Sequence, residues 1–319
     1  MRRLSFEVTL NEHGERLDKM LARRLNAALD GGFSRNKTKK LVDAGKVRRN
    51  GEVERFGSTS LEYDDIIEVD VDPEVVGSPK SHKPVDLGPE DILWEDGFVI
   101  AIDKPAGLPS QATRDPRRDH ALAAVERYLA RRGESDPYVA VHHRLDVGTS
   151  GVLVLACDRR ANAGLTEAFR DRRVDKTYRA VVMATDADND KVPGRRWTVE
   201  NHLDERRRGN TTRQVSVDAG GDWAKTTFEV VRQTGRLQDV CARPETGRRH
   251  QIRAHLAGEG RPIVGDERYG GAMEIDDRRV ERMMLHARKL VLPHPVHDQK
   301  IEIVSPLPEV FERLWRDDA

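Results

Sequence analysis

Cysteine is almost missing from this chain. Only Cys157 and Cys241 occur in 319 residues, each in an apolar, strand-like context. Two such thiols make neither a disulfide framework nor a cysteine-rich metal site, and they read as buried thiols of a cytoplasmic protein. Long apolar runs are missing as well, since none approaches the roughly 20 residues that span a bilayer. The opening MRRLSFEVTL returns to charge before an apolar signal-peptide core can form. No membrane partner is therefore expected. Net charge is absent too, with 55 Lys and Arg against 55 Asp and Glu. A balanced total gives no argument for a polyanion partner. With 37% hydrophobic and 34% charged residues, the chain is too apolar to be disordered and too charged for a membrane protein.

Cofactor signatures are lacking. No Gly-x-Gly-x-x-Gly follows a strand, and no Gly-x-x-x-x-Gly-Lys-Ser/Thr loop or Gly-x-Ser-x-Gly elbow occurs. His250 and His255 are five apart, which does not place them on one helix face as a zinc pair requires. Hydrogen bonding within the fold is the expected role of both. Neither a cofactor nor a metal is expected, and a metal-dependent hydrolase has no motif to build on.

What is present is uneven. Between Arg16 and Asn50 lie eleven basic residues and three acidic ones, a local excess of eight. Taken alone, such a run is a solvated surface. Concentrated at one end of a neutral chain, it suggests a polyanion partner. Leu17, Met20, Leu21 and Leu25 are spaced for a helix over 16–29. Ser34 can cap a second helix that Gly45 ends. Asn50-Gly51 signals a hairpin, and 65–71 alternates as a strand. Residues 1–71 thus form a small α/β unit. Residues 72–90 hold four prolines and two glycines without periodicity and read as a linker.

From Asp91 to the end, strands outnumber helices without regular alternation. Helices are predicted over 121–133, 159–173, 249–260 and 308–315. Strands are predicted over 152–156, 176–184, 226–234, 237–243, 288–293 and 300–306. The reading is α+β, with a large mixed, mostly antiparallel sheet flanked by helices. Residues 185–225 give no assignable pattern.

HHRLDVGTSGVLVLA, residues 142–156, sets Arg144 and Asp146 beside a buried strand. A charge there is costly unless it is paired or used. Asp146 can be a nucleophile, a general base, a metal ligand or a cap. By position alone a cap or ion pair is the commoner role. No second acid is near enough in sequence for a paired-carboxylate mechanism. Arg249, Arg253 and Leu256 fall at i, i+4 and i+7, so they share a helix face, and an arginine there could hold a carboxylate ionised. Tyr178 is on a strand, where an aromatic is usually core. Next to a nucleobase it can stack.

HRLDVGTSGVLVLA, KTYRAVV, TGRRHQIRAHLAGEGRPIVGD and MLHARKLVLPHP, in that order, resemble the RluA-type RNA pseudouridine synthases, and IDKPAGLP upstream is similar to a further segment of that family. These pieces span nearly all of 92–306. The resemblance implies a catalytic domain over 91–319 that converts uridine in RNA to pseudouridine without cofactor or metal. It implies that Asp146 is the catalytic aspartate, that Tyr178 stacks on the flipped uracil, and that Arg253 pairs with the aspartate. Arg144 would fill the gap that the base leaves. Thr149, Arg249 and Leu285, within the same motifs, are expected to contact substrate. The first unit, through RLDKMLARRL, FSRNKTKKLVDAGKVRRNG and DIIEV, resembles the alpha-L RNA-binding domain of a small-subunit ribosomal protein. Arg16, Ser34, Arg35, Lys39, Lys40, Lys46, Arg48 and Asn50 are its expected RNA contacts. The implied partner is RNA, ribosomal RNA before tRNA, and the implied state a monomer. GLPSQAT lacks the His-Pro of many relatives, and GGDWAKTTFEV is a loose version of the family's segment. Both bear on the choice of target more than on the chemistry. A non-catalytic RNA-binding factor on the same fold would be expected to have lost Asp146, and Asp146 is present.

Overall fold

The computed structural model describes residues 2–29, 33–71, 84–113, 115, 117–184, 192–208 and 211–315. They fall into two compact units, residues 1–82 and 83–319.

The first unit runs β1 (Arg2–Glu7), α1 (Leu17–Ala28), α2 (Arg35–Asp43), β2 (Val47–Arg49), β3 (Glu52–Val53) and β4 (Ile66–Val71). Its antiparallel sheet has the order β1-β4-β2-β3. Leu17, Met20, Leu21 and Leu25 of α1 are fully buried, and with Leu41, Val42, Val47, Ile67 and Val69 they form the core. Ser34 caps α2 by accepting from Lys37 N at 3.3 Å. Asn50 and Gly51 take φ of 52° and 86°, the left-handed pair that a tight hairpin between β2 and β3 requires.

Most of the expected linker, 72–83, lies outside the described residues. Its remainder packs into the second unit. Leu87 is buried in a core cluster, and Val85 N donates to Asp119 at 2.7 Å.

The second unit contains β5 (Ile92–Glu95), β6 (Val99–Lys104), α3 (Ala121–Arg131), β7 (Ala140–Val141), β8 (Ser150–Ala156), α4 (Ala161–Arg170), β9 (Asp175–Met183), β10 (Arg196–Arg208), β11 (Thr211–Val217), β12 (Asp222–Thr234), β13 (Leu237–Pro244), α5 (Gln251–Gly258), β14 (Glu274–Ile275), β15 (Arg278–Arg279), β16 (Leu285–Pro293), β17 (Lys300–Val304) and α6 (Glu309–Arg313). One sheet runs β11-β10-β12-β13-β9-β16-β8-β6-β5, with β17 beside β16 and β7 beside β8. Among the described residues, only β16 and β8 pair in parallel; the other pairings in this sheet are antiparallel. The α+β architecture is as expected. No helix among the described residues is long and apolar enough to cross a membrane.

Alternation explains the layering. Ile100, Ile102, Leu153 and Leu155 pack against α3, through Ala121, Ala124, Val125 and Leu129. Val99, Ala101, Val152 and Val154 point the other way, against Ala161, Leu165 and Ala168 of α4. Successive strand residues thus bury both faces of β6 and β8, as an all-apolar central strand requires. Gly151 is dictated by contact: at φ 107°, a Cβ there would lie 2.2 Å from the Ala287 carbonyl oxygen. Only glycine lets β8 approach β16 this closely.

Two departures stand out. Residues 196–225, unassigned in sequence, carry a long hairpin, β10 and β11, and the start of β12. One face of β10 packs inward through Trp197, Val199 and Leu203, but the charged residues around them obscure that alternation in the sequence. The helix expected over 249–260 begins at Gln251, because His250 takes a left-handed conformation, φ 53° and ψ 20°. Arg249 therefore lies before α5 and does not share a helix face with Arg253.

Candidate active site

The 142–149 loop enters β8 with alternate residues anchored in the body of the unit. His143 Nε2 accepts from Val154 N at 2.9 Å, and its ring stacks on Phe169. Burial takes His143 down to about 3, so the ring is neutral and structural. Leu145 is buried, and its N–H and carbonyl both bond Ser110 Oγ, each at 3.0 Å. Gly107 N donates to Val147 O at 2.7 Å, so the Lys-Pro-Ala-Gly turn braces the loop. With 143 and 145 anchored inward, Arg144 and Asp146 are left to a cavity of about 560 Å³.

The cavity is lined by Arg144, Asp146, Thr149, Tyr178, Arg253 and Leu285, which distant segments of the chain supply. Arg144 is exposed, whereas Thr149 and Leu285 are buried at the cavity wall. Arg253 Nη1 donates to Asp146 Oδ2 at 2.9 Å. Its Nε and Nη2 hold Asp266 at 2.6 and 2.8 Å, and its guanidinium lies 4.9 Å from the centre of the Tyr269 ring. Burial alone would lower the Arg253 pKa, but bonds and charges from Asp266 and Asp146 outweigh it and hold it above the ordinary value. The Tyr178 phenol is pushed up by burial and by the Asp146 charge, so it stays protonated.

Arg249 is not at the cavity wall. It bonds Glu205 Oε2 at 2.7 Å, away from Asp146. Its neighbour Arg248 lines the cavity instead, with Gln111, Arg172, Lys176 and His250. Lys176 had a signal in the sequence: two residues before Tyr178 on one strand, it shares that face. Burial, aided by Arg172, lowers it to about 8. Asp266 and Tyr269, the partners of Arg253, had no such signal.

In the first unit, ion pairs absorb much of the basic block. Arg16 and Arg35 both bond Asp18, at 2.9 and 3.3 Å. Arg23 and Arg24 bond Glu12, Lys19 bonds Glu15, and Arg49 bonds Asp65. Asn50 is committed to the turn, donating to Asp65 Oδ1 and accepting from Ile66 N, both at 2.8 Å. Arg48 donates to Gly51 O at 3.3 Å. Lys46 is half-buried, and Lys39 and Lys40 are exposed. The positive face is therefore narrower than the residue count suggests.

Residues 98–258 match the family described as RNA pseudouridylate synthase. A protein of Mycobacterium bovis named an uncharacterized RNA pseudouridine synthase is 34% identical over 92% of this chain and 91% of its own. A ribosomal large subunit pseudouridine synthase D of Xanthomonas campestris is 33% identical over 96% of this chain and 90% of its own. Among solved structures, human RNA pseudouridylate synthase domain containing 4 aligns with a TM-score of 0.52 and 26% identity, over 69% of this chain and 90% of that one. The chain belongs to the RNA pseudouridylate synthase family, in its RluA-type branch, and is an RNA pseudouridine synthase.

Proposed function

We propose that this enzyme isomerises chosen uridines of structured RNA, large-subunit ribosomal RNA foremost, and that Asp146 is the essential group. One observation carries the reading. Asp146 faces the cavity with its side chain 23% exposed, and only one of its oxygens is bonded to Arg253. A carboxylate held by one charge-assisted bond keeps its other oxygen for substrate. The choice of RNA rests on relatives named ribosomal large subunit pseudouridine synthase D and C.

A stacked uridine does not reach such a cavity, so it is extruded at a cost of a few kcal/mol. Exposed Arg144 fills the vacated place in the stack, and Tyr178 lies against the extruded uracil. Thr149 and Leu285 wall the pocket. Arg172, Lys176 and Arg248 around it suit the phosphates on either side. The first unit acts as an alpha-L-type RNA-binding module through Lys39 and Lys40.

Asp146→Asn tests the assignment. Pseudouridine in the RNA, mapped by carbodiimide treatment and primer extension, should be abolished. RNA affinity and thermal unfolding should remain near those of the parent. Turnover by the variant would overturn the role of Asp146.

A further inference from the structure

His250 presents a ring nitrogen, Nε2, beside Asp146. Its backbone is left-handed, a conformation that non-glycine residues adopt sparingly and that tends to persist at functional positions. This backbone turns the imidazole into the cavity, with Nε2 3.9 Å from Asp146 Oδ1. That separation is too long for a hydrogen bond. The carboxylate therefore does not occupy that nitrogen.

Gln214 N donates to the Tyr269 hydroxyl oxygen at 2.8 Å. That leaves the hydroxyl proton, and one lone pair, for His250 Nδ1, 3.2 Å away. A neutral imidazole carries one proton; with the hydroxyl donating to Nδ1, that proton is on Nε2, on the side of Asp146. Burial, against the pull of Asp146, lowers His250 to about 4, which keeps the ring neutral at working pH.

We propose that His250 Nε2–H bonds a carbonyl oxygen of the target uracil and steadies the charge that gathers there as the base leaves the ribose. In that step the C1′–N1 bond breaks and its electron pair moves onto the uracil, spread over N1 and the carbonyl oxygens. The C1′–C5 bond then forms, C5 loses its proton and N1 gains one. A donor aimed at the developing negative charge lowers the barrier more than it strengthens binding. A neutral ring suits this, because a cation would pair with Asp146. The inference rests on the reading of Asp146 given above.

The experiment compares His250→Phe, His250→Gln and His250→Asn with the parent and with Asp146→Asn, on RNA labelled with tritium at uridine C5. Phenylalanine keeps the shape and removes the donor. Glutamine keeps an N–H on a side chain of similar reach. Asparagine accepts the left-handed backbone and withdraws the donor, which guards against misfolding. For the phenylalanine and asparagine variants, kcat should fall about 100-fold, the scale of losing one such donor, with KM changed by less than about threefold. Glutamine should recover most of the loss. Parental turnover in His250→Phe, or equal loss in all three folded variants, would overturn the inference. An active Asp146→Asn would instead bring down the reading beneath it.

Discussion

Asp146 and Asp266 bind one guanidinium from two sides. Arg253 gives Asp146 a single bond at 2.9 Å and gives Asp266 a two-pronged grip at 2.6 and 2.8 Å. Asp266 is almost wholly buried, whereas Asp146 faces the cavity. The buried acid thus aims the arginine, and the arginine aims the acid that faces the cavity.

Asp266→Asn should therefore damage catalysis more than folding. The arginine keeps Asp146, so the stability loss should stay below the roughly 3–5 kcal/mol of a stranded buried charge. Loosening Asp146 by an ångström should lower kcat about 100-fold. Urea unfolding and steady-state rates on one preparation separate the two effects. A kcat within twofold of the parent would deny the aiming role.

Lys104 makes stability depend on pH. It is fully buried, and its Nζ donates to Pro105 O and Leu108 O at 2.9 and 2.8 Å. Burial, with Arg282 nearby, takes it from 10.5 to about 7. Below pH 7 both folded and unfolded chains hold the proton, and the penalty for a buried charge is fully present. Between pH 7 and 10.5 the unfolded chain holds a proton that the folded chain has released, so stability rises with pH. Lys104→Met should remove this slope. Denaturant titrations at pH 6.5, 8.5 and 10 should show the parent gaining stability relative to the variant by up to a few kcal/mol. A constant difference would mean that the lysine stays charged.

Lys176 should limit RNA capture at alkaline pH. It lines the cavity, bonds Thr246 O at 3.0 Å, and releases its proton near pH 8. Above that pH the cavity loses one positive charge, and KM for RNA should rise several-fold. Lys176→Arg, which stays charged, should flatten the rise, and Lys176→Gln should show the high KM throughout. A KM that does not change between pH 7 and 9 in the parent would refute the assignment.

The first unit should bind through few charges. Lys39→Gln with Lys40→Gln should reduce the slope of log affinity against log salt by about 0.7–0.9 for each phosphate left without its lysine. Arg24→Gln should leave that slope unchanged, because Arg24 is held by Glu12 at 2.8 Å. Filter binding at several salt concentrations tells them apart, and equal slopes for the two variants would reject this division of the block.

Much of this was legible in the sequence because the signals were local. Leu17 to Leu25 announced α1, Asn50-Gly51 the hairpin, and VLVLA the buried strand. Asp146, Tyr178 and Arg253 were named from motifs, and the cavity holds all three. What could not be read depended on long-range contacts. Asp266 bonds Arg253 thirteen residues away through a turn that no periodicity marks. Arg249 was placed on the face of Arg253 because a left-handed His250 leaves no trace in helical spacing. The β10–β11 hairpin escaped because its short apolar alternation, Trp197, Val199 and Leu203, is set among charged residues. The count of basic residues in the first unit overstated its positive surface, since Glu12, Glu15 and Asp65 lie outside the counted window and pair into it.

The close seam at Gly151 and Ala287 also sets a schedule. Ser150 and His286, 136 residues apart, meet where β8 and β16 join. Until β16 exists, β8 has no neighbour on that side, and Tyr178 on β9 has nothing to tie it to Asp146. At about 5–20 residues per second, the wait between making the Asp146 loop and closing its pocket is roughly 7 to 27 seconds. Through that interval the Asp146 loop has been made but the strand that completes its sheet has not.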